Sequence, residues 1–302
     1  MVVEEADPGV VFIGGVRRSG SDLLARVLDS HPRYRAIPVP VRFHSEPEGL
    51  PDLLGGRVSL ARFSERMRGT WWTGEGTSRL GGLDRLVPRE RFDQALARLE
   101  SSYHADPLSA CRNLFFDLLR PLAQEVGKSG LVEITGANLS RGALLARIFP
   151  NARFIHAVRD GRAVAVSIAG RSQAPASESE AMDWWCGALW EIDSAVRGEE
   201  DGVSYSLGPT QLHVLALCDL AGSERDRAYE ELLAFLHISS EPGMRALLDA
   251  EVDEIATWRD LRRALPLSRR VFLEWRYRRV LRTLQRHGVH CAPQLLQAYR
   301  RS

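Results

Sequence analysis

The stretch that most constrains the fold is residues 10–30. Residues 10–15 (VVFIGG) form a short apolar run, rich in β-branched side chains and closed by two glycines. Without polar alternation, such a run predicts a strand buried on both faces, as in a parallel sheet. After VRRSGSD comes LLARVLDS, where Leu23, Leu24, Val27 and Leu28 share one side of a helix and Arg26 and Asp29 the other. His31-Pro32 ends it, because proline cannot continue a helix and disfavours the α conformation in the residue before it. Strand, glycine-containing loop and helix in that order aim backbone N–H groups and a positive helix end at one point.

The rest of the chain repeats the alternation. LVEITGAN (131–138), ARFIHAV (152–158) and LHVLALCDL (212–220) are further strand candidates. Residues 91–126 predict helix with a break at Asp106-Pro107, RGALLARIF (141–149) a short amphipathic helix, and RDGRAVAVSIAGR (159–171) another. This spacing predicts an α/β fold, a P-loop-like parallel sheet flanked by helices with a helical C-terminal part. We expect one domain over residues 1–302. Within it, residues 37–90, whose first part holds four prolines and three glycines, form a loop-rich substrate-side insertion, and 221–302 a mainly helical extension. QAPASESE (173–180) reads as a mobile polar linker.

Gly15-Val16-Arg17-Arg18-Ser19-Gly20-Ser21-Asp22 has the glycine spacing of the triphosphate loop G-x-x-x-x-G-K-S/T. Ser21 stands where the lysine should reach the β/γ-phosphates, and Asp22 where a hydroxyl should hold magnesium. A carboxylate there repels a triphosphate, so a P-loop kinase is disfavoured. The loop still suits an anion without a metal, through amides 18–22, the Ser19 and Ser21 hydroxyls, and Arg17 or Arg18. A plain glycine-rich strand–helix turn is the simpler alternative.

GGVRRSGSDLLARVLDSHP resembles the 5′-phosphosulfate loop of sulfotransferases that use 3′-phosphoadenosine 5′-phosphosulfate (PAPS), in the branch with tyrosylprotein sulfotransferases and many bacterial enzymes. Arg18, Ser19 and Gly20 match that pattern, Ser21 keeps a hydroxyl, and Asp22 departs from it. FPNARFIHAVRDGRAVAVSIAGR (149–171) resembles the family's 3′-phosphate segment, with Arg159, Ser167 and Arg171 at the matching spacing. Arg159 ends a strand, where open α/β sheets place ligands. Residues 167 and 171, four apart, share a helix face and can close on one phosphate. The plain reading of Arg159-Asp160 is a local ion pair capping the helix.

The resemblance extends more weakly over most of the chain. VEITGAN keeps the family's Glu133, Thr135 and Asn138 but has Ile134 for lysine and Gly136 for proline. Leu217 replaces a tyrosine that some relatives carry. Trp184 and Trp185 either flank an adenine or pack in the core, the latter being simpler, and Trp258-Arg259 matches a late W-R near the nucleotide.

The departure that matters most is Pro40, which stands where this branch places the glutamate that takes the acceptor's proton. A neighbour must substitute (His44, Glu46, Glu48 or Glu133), or deprotonation is unnecessary, or catalysis is lost. His44 and Glu133 are the leading candidates, with Arg18 as the catalytic cation; Glu133 is slightly favoured because the matching strand approaches the sulfuryl group in relatives.

The implied reaction moves a sulfuryl group from PAPS to a hydroxyl or amine, leaving 3′,5′-diphosphoadenosine, and needs no metal. A relative that binds the nucleotide without transferring anything is the main alternative. Forty basic and 39 acidic residues give a net charge of +1, which argues against a nucleic-acid or membrane partner, while a cytoplasmic location favours a small-molecule acceptor. The sole lysine is Lys128, too far from residues 131–138 to replace the missing one. Cys111, Cys186, Cys218 and Cys291 form no metal or disulfide pattern. With no signal peptide or membrane span in the reading, the expected location is the cytoplasm.

Overall fold

The computed structural model describes residues 9–75, 81–170, 175–199, 205–252 and 255–301. Five parallel strands form one sheet: β1 (Val10–Gly14), β2 (Tyr34–Ala36), β3 (Gly130–Glu133), β4 (Arg153–Val158) and β5 (Leu212–Ala216), in the order β2-β3-β1-β4-β5. Apolar β1 is central because both its faces are covered. Val10 and Phe12 enter a core with the helices Arg89–Ser102 and Pro107–Gln124, while Val11 and Ile13 enter another with Ser21–Asp29 and Arg225–Leu236. A third core gathers Gly161–Ile168, Glu178–Arg197, Leu267–Arg286 and Ala292–Arg301.

Register sets where the loops emerge. Phe12 pairs with Glu133 and Gly14 with His156, so β1 ends between the end of β3 and the last turn of β4. Their loops therefore open on one edge. Lys128 precedes β3 at the opposite edge, where its ammonium holds the Asp29 carbonyl, which keeps it away from these loops.

The structure adds β2, which three residues without an apolar run did not announce. The strand expected over 212–220 stops at Ala216, and Leu217–Leu220 is a helical turn. The helix expected over 159–171 ends at Ile168, and Gly170 takes φ 72°; Arg171, expected on one helix face with Ser167, lies outside the described residues. Residues 37–90 contain the helices Leu50–Leu54, Leu60–Arg68 and Thr70–Thr73, and Phe43, Leu53, Phe63 and Trp71 join the first core. The break at Asp106-Pro107 is a helix start: Asp106 accepts from the Ser109 N–H at 3.1 Å and Pro107 occupies the first turn. The polar segment 173–180 lies outside the described residues at 173–174, and a helix begins at Glu178. The four cysteines are free.

Two helical glycines should respond oppositely to alanine. A Cβ on Gly161 would meet the Trp185 ring at 2.7 Å, so Gly161→Ala should destabilise by roughly 1–3 kcal/mol through overpacking. Gly187 is exposed in the helix Glu178–Arg197 with nothing within 4 Å of an added Cβ, so Gly187→Ala should stabilise by about 0.5–1 kcal/mol. Urea unfolding of both variants checks the two signs.

Candidate functional site

The loop after β1 turns through three unusual residues. Gly15 has φ 151°, and a Cβ there would lie 2.2 Å from the Ala157 carbonyl oxygen. Arg18 (φ 71°) and Gly20 (φ 94°) are left-handed, which in arginine costs about 1–2 kcal/mol. The buried Ser19 donates its N–H to the Val16 carbonyl at 3.0 Å, closing the turn. Gly20 then caps the helix Ser21–Asp29, and no side chain bonds to that cap. The first-turn N–H groups thus face outward beside the exposed Arg17, Arg18 and Asp22 and the half-buried Ser21. Leu217 presses on Gly20, whose added Cβ would fall 2.5 Å from Leu217 Cδ1, so the position of the relatives' tyrosine borders the loop directly.

The end of β4 meets this loop. Arg159 donates from Nη1 to the Arg18 carbonyl at 3.0 Å and from Nη2 to the Ala256 carbonyl at 2.7 Å. Arg18 Nε donates to Ser167 Oγ at 3.2 Å. Two sequence blocks far apart in the chain are thereby interlocked. Burial first, then the charge of Arg18, lowers the Arg159 pKa from its ordinary 12.5. Two like charges share the spot, so a bound anion would relieve their repulsion.

The local ion pair expected for Arg159-Asp160 does not form. Asp160 caps the next helix by accepting from the Arg162 N–H at 2.8 Å, and its carboxylate binds the Arg162 guanidinium at 2.5 Å. Arg162 is buried, pairs also with Glu274, and lies over the rings of Trp258, Tyr277 and Tyr299. Asp160 is thus occupied, and Arg159 turns to the loop. Sequence reading passed over Arg162 and the Ala256 carbonyl. Aspartate two residues before arginine at a helix start was the available signal for the first, and the second, a backbone group from a distant segment, had none.

Glu133 and His44 lie together, fully buried. His44 Nε2 is 3.1 Å from Glu133 Oε2 and 2.7 Å from Asn138 Oδ1; facing two oxygens, it carries the hydrogen. Glu133 also accepts from the Thr135 N–H and hydroxyl (2.8 and 2.6 Å), the Asn138 amide (2.8 Å) and the Val41 N–H (3.4 Å). The Arg42 N–H reaches Thr135 Oγ1 at 3.4 Å, so residues 41–44 are laid along the end of β3. Phe12 stacks on His44 with ring centroids 5.4 Å apart. Glu46 approaches Arg42 at 3.7 Å, and Glu48 is drawn to Arg62 and Arg66 on the neighbouring helix.

Trp185 and Trp258 are core residues, Trp184 is half exposed, and Arg259 is exposed. Arg171 lies outside the described residues.

A parallel α/β sheet whose central strand feeds a glycine loop, interlocked with an arginine from the adjacent strand, is the arrangement of open α/β proteins that take ligands at their strand ends. Residues 8–242 match the sulfotransferase family, and the chain belongs to it. A protein-tyrosine sulfotransferase of Drosophila melanogaster is 28% identical over 162 residues, covering 54% of this chain and 25% of that protein. The chain therefore spans about a quarter of that relative's length. Among solved structures, the sulfotransferase domain of the Synechococcus PCC 7002 olefin synthase aligns with a TM-score of 0.49 and 18% identity, over 87% of this chain and 90% of that one. A sulfotransferase from Mycobacterium tuberculosis aligns with a TM-score of 0.46 and 14% identity, over 90% and 77%.

Buried titratable groups make stability depend on pH. Burial alone would raise the Glu133 pKa, but His44 and the Thr135 hydrogen bonds outweigh it and hold the carboxyl at about 2, below its ordinary 4.5. The unfolded chain then takes the proton first, so this contribution is complete above pH 4.5 and is lost as pH falls toward 2. Burial, and after it the neighbouring His290, depresses His156 well below 6.5, so acid also favours the unfolded chain from that pH downward. Denaturant unfolding at about pH 7, 5.5, 4 and 3 should show stability falling throughout, most steeply below 4.5. Glu133→Gln should lose the steep lower limb; a flat profile in the parent would contradict this assignment.

Proposed function

We propose that this chain transfers a sulfuryl group from PAPS to a hydroxyl or amine of a small-molecule acceptor. One observation carries the reading: Arg18 and Ser167, from the two blocks that resemble the family's phosphate-binding segments, meet at 3.2 Å, with Arg159 bracing the loop. In this reading the amides of 18–22, with Ser19, Gly20 and Ser21, hold the 5′-phosphosulfate. Arg17 and Arg18 add charge, and Asp22 borders the site from the first turn. Arg159, Ser167 and Arg171 hold the 3′-phosphate, and residues 37–90 wall the acceptor site.

The acceptor oxygen or nitrogen attacks sulfur in line, and the S–O bond to the 5′-phosphate breaks. The electron pair leaves with 3′,5′-diphosphoadenosine, and the acceptor loses a proton. Arg18 and the loop amides stabilise the charge growing on the leaving oxygen. No metal is required for this step.

Glu133 and His44 take a different part from the proton acceptor that the sequence suggested. A buried carboxylate with this many donors, held near pKa 2, is a weak base at neutral pH, and no atom of either side chain reaches solvent. We assign the pair to clamping residues 41–44 onto β3. The proton then passes to water, unless the acceptor is already nucleophilic. A nucleotide-binding relative without transferase activity is the second reading, favoured by Pro40 and by the same burial.

Incubation with PAPS and a panel of phenols, alcohols and amines should yield an acceptor heavier by one sulfuryl group. Binding of 3′,5′-diphosphoadenosine with no product from any acceptor would favour the second reading. Arg159→Ala should weaken 3′,5′-diphosphoadenosine by roughly 1.5–3 kcal/mol and 5′-AMP much less, by calorimetry. Equal loss for both ligands would make Arg159 a brace of the loop only.

Glu133→Gln and His44→Ala should lower the unfolding midpoint and leave kcat within about tenfold. An unchanged midpoint with kcat down by about 10²-fold or more would instead make one of them the base.

A further inference from the structure

The helix Leu267–Arg286 buries Leu273, Tyr277, Leu281 and Leu284 against the third core. Its opposite side is unusually apolar. Leu267, Val271, Phe272 and Trp275 are 73%, 60%, 41% and 56% exposed. The next turns of that outward side carry Arg279, Arg282 and Arg286, which lie four, seven and eleven residues beyond Trp275. Arg279 stands over the Trp275 ring at 5.9 Å.

The other arginines nearby are engaged: Arg269 by Glu178, Arg276 by Asp183, and Arg278 by Glu274. No carboxylate among the described residues pairs with Arg279, Arg282 or Arg286. The near-neutral net charge conceals this segregation. Residues 258–302 carry twelve arginines and two acidic residues, leaving 28 basic and 37 acidic residues in the rest of the chain.

We propose that this outward face docks on an anionic lipid bilayer. Apolar side chains followed by unpaired guanidinium groups along one line match the acyl–headgroup boundary and the lipid phosphates together. A second copy of the chain docked symmetrically through the same segment fits only half of the face. Its own segment offers Asp260 and Glu274, and these are held by Thr257 and by Arg162 and Arg278. A nucleic acid would meet the arginines and leave Leu267, Val271 and Phe272 in water. The net acidic remainder of the chain is repelled by the same surface, which orients this face toward it. No helix of the described residues is long and apolar enough to cross a membrane, so the contact is peripheral.

The test uses the full chain and vesicles of phosphatidylcholine with or without phosphatidylglycerol. The chain should sediment with the anionic vesicles alone and be released by high salt. Replacing Arg279, Arg282 and Arg286 together by Gln should lower partitioning on the order of 100-fold. Val271→Ser with Trp275→Ser should lower it comparably; all these side chains point outward, and circular dichroism checks that the fold persists. Failure to sediment, equal binding to neutral vesicles, or full binding by both variants would overturn the proposal. So would a dimer in light scattering that the Val271→Ser change dissociates, which would give the face to a second copy.

Discussion

The candidate site depends on one guanidinium. Arg159 extends from the end of β4 and binds two backbone carbonyls, Arg18 in the loop after β1 and Ala256 in a segment nearly a hundred residues further on. These contacts tie the glycine loop, the neighbouring strand and the start of the C-terminal helices into one rim. Arg18 has an unfavourable left-handed backbone, and the hydrogen bond to its carbonyl helps hold it there. The cost is electrostatic: two arginines sit close together with the nearest carboxylate, Asp160, already committed to Arg162. An anion bound at this rim would relieve that repulsion.

Asp160 and Arg162 make that arrangement possible. If Asp160 neutralised Arg159, as adjacent opposite charges suggest, the site would lose its positive character. Instead the helix start captures Asp160 as a cap, Arg162 folds back on it, and Trp258, Tyr277 and Tyr299 enclose the guanidinium. The aromatic residues come from C-terminal segments whose inner faces build the third core. The helical part after residue 221 thus supports the anion site from behind, while one of its helices turns an apolar and arginine-rich side outward.

Much of this was legible in the chain. The central strand, the loop and the helix after it follow from local rules: a β-branched run, glycines where only they fit, and an amphipathic pattern cut by His-Pro. Arg18, Ser167 and Arg159 were readable through the resemblance to the sulfotransferase family, and they meet. β2 was not legible, because three residues paired at a sheet edge leave no periodic signal. The helix after β4 also stops sooner than its pattern suggested, at Ile168. His44 and Glu133 were picked out separately as candidate bases, and their contact with each other could not be foreseen from positions so far apart.

The sequence by itself determined the alternation of strand and helix, the place of the glycine loop between them, and the chemical types at the strand ends, because these depend on neighbours along the chain. Only the tertiary structure decided which carboxylate serves which arginine, and that the Glu133 carboxylate is held by His44, Thr135 and Asn138. It also decided that Arg279, Arg282 and Arg286 pair with no described carboxylate and follow the exposed Trp275 along the outward side of one helix. The physical reason is the same in each case. Charges and buried polar groups choose partners by distance in space, and the parallel sheet brings together residues that the chain keeps more than a hundred positions apart.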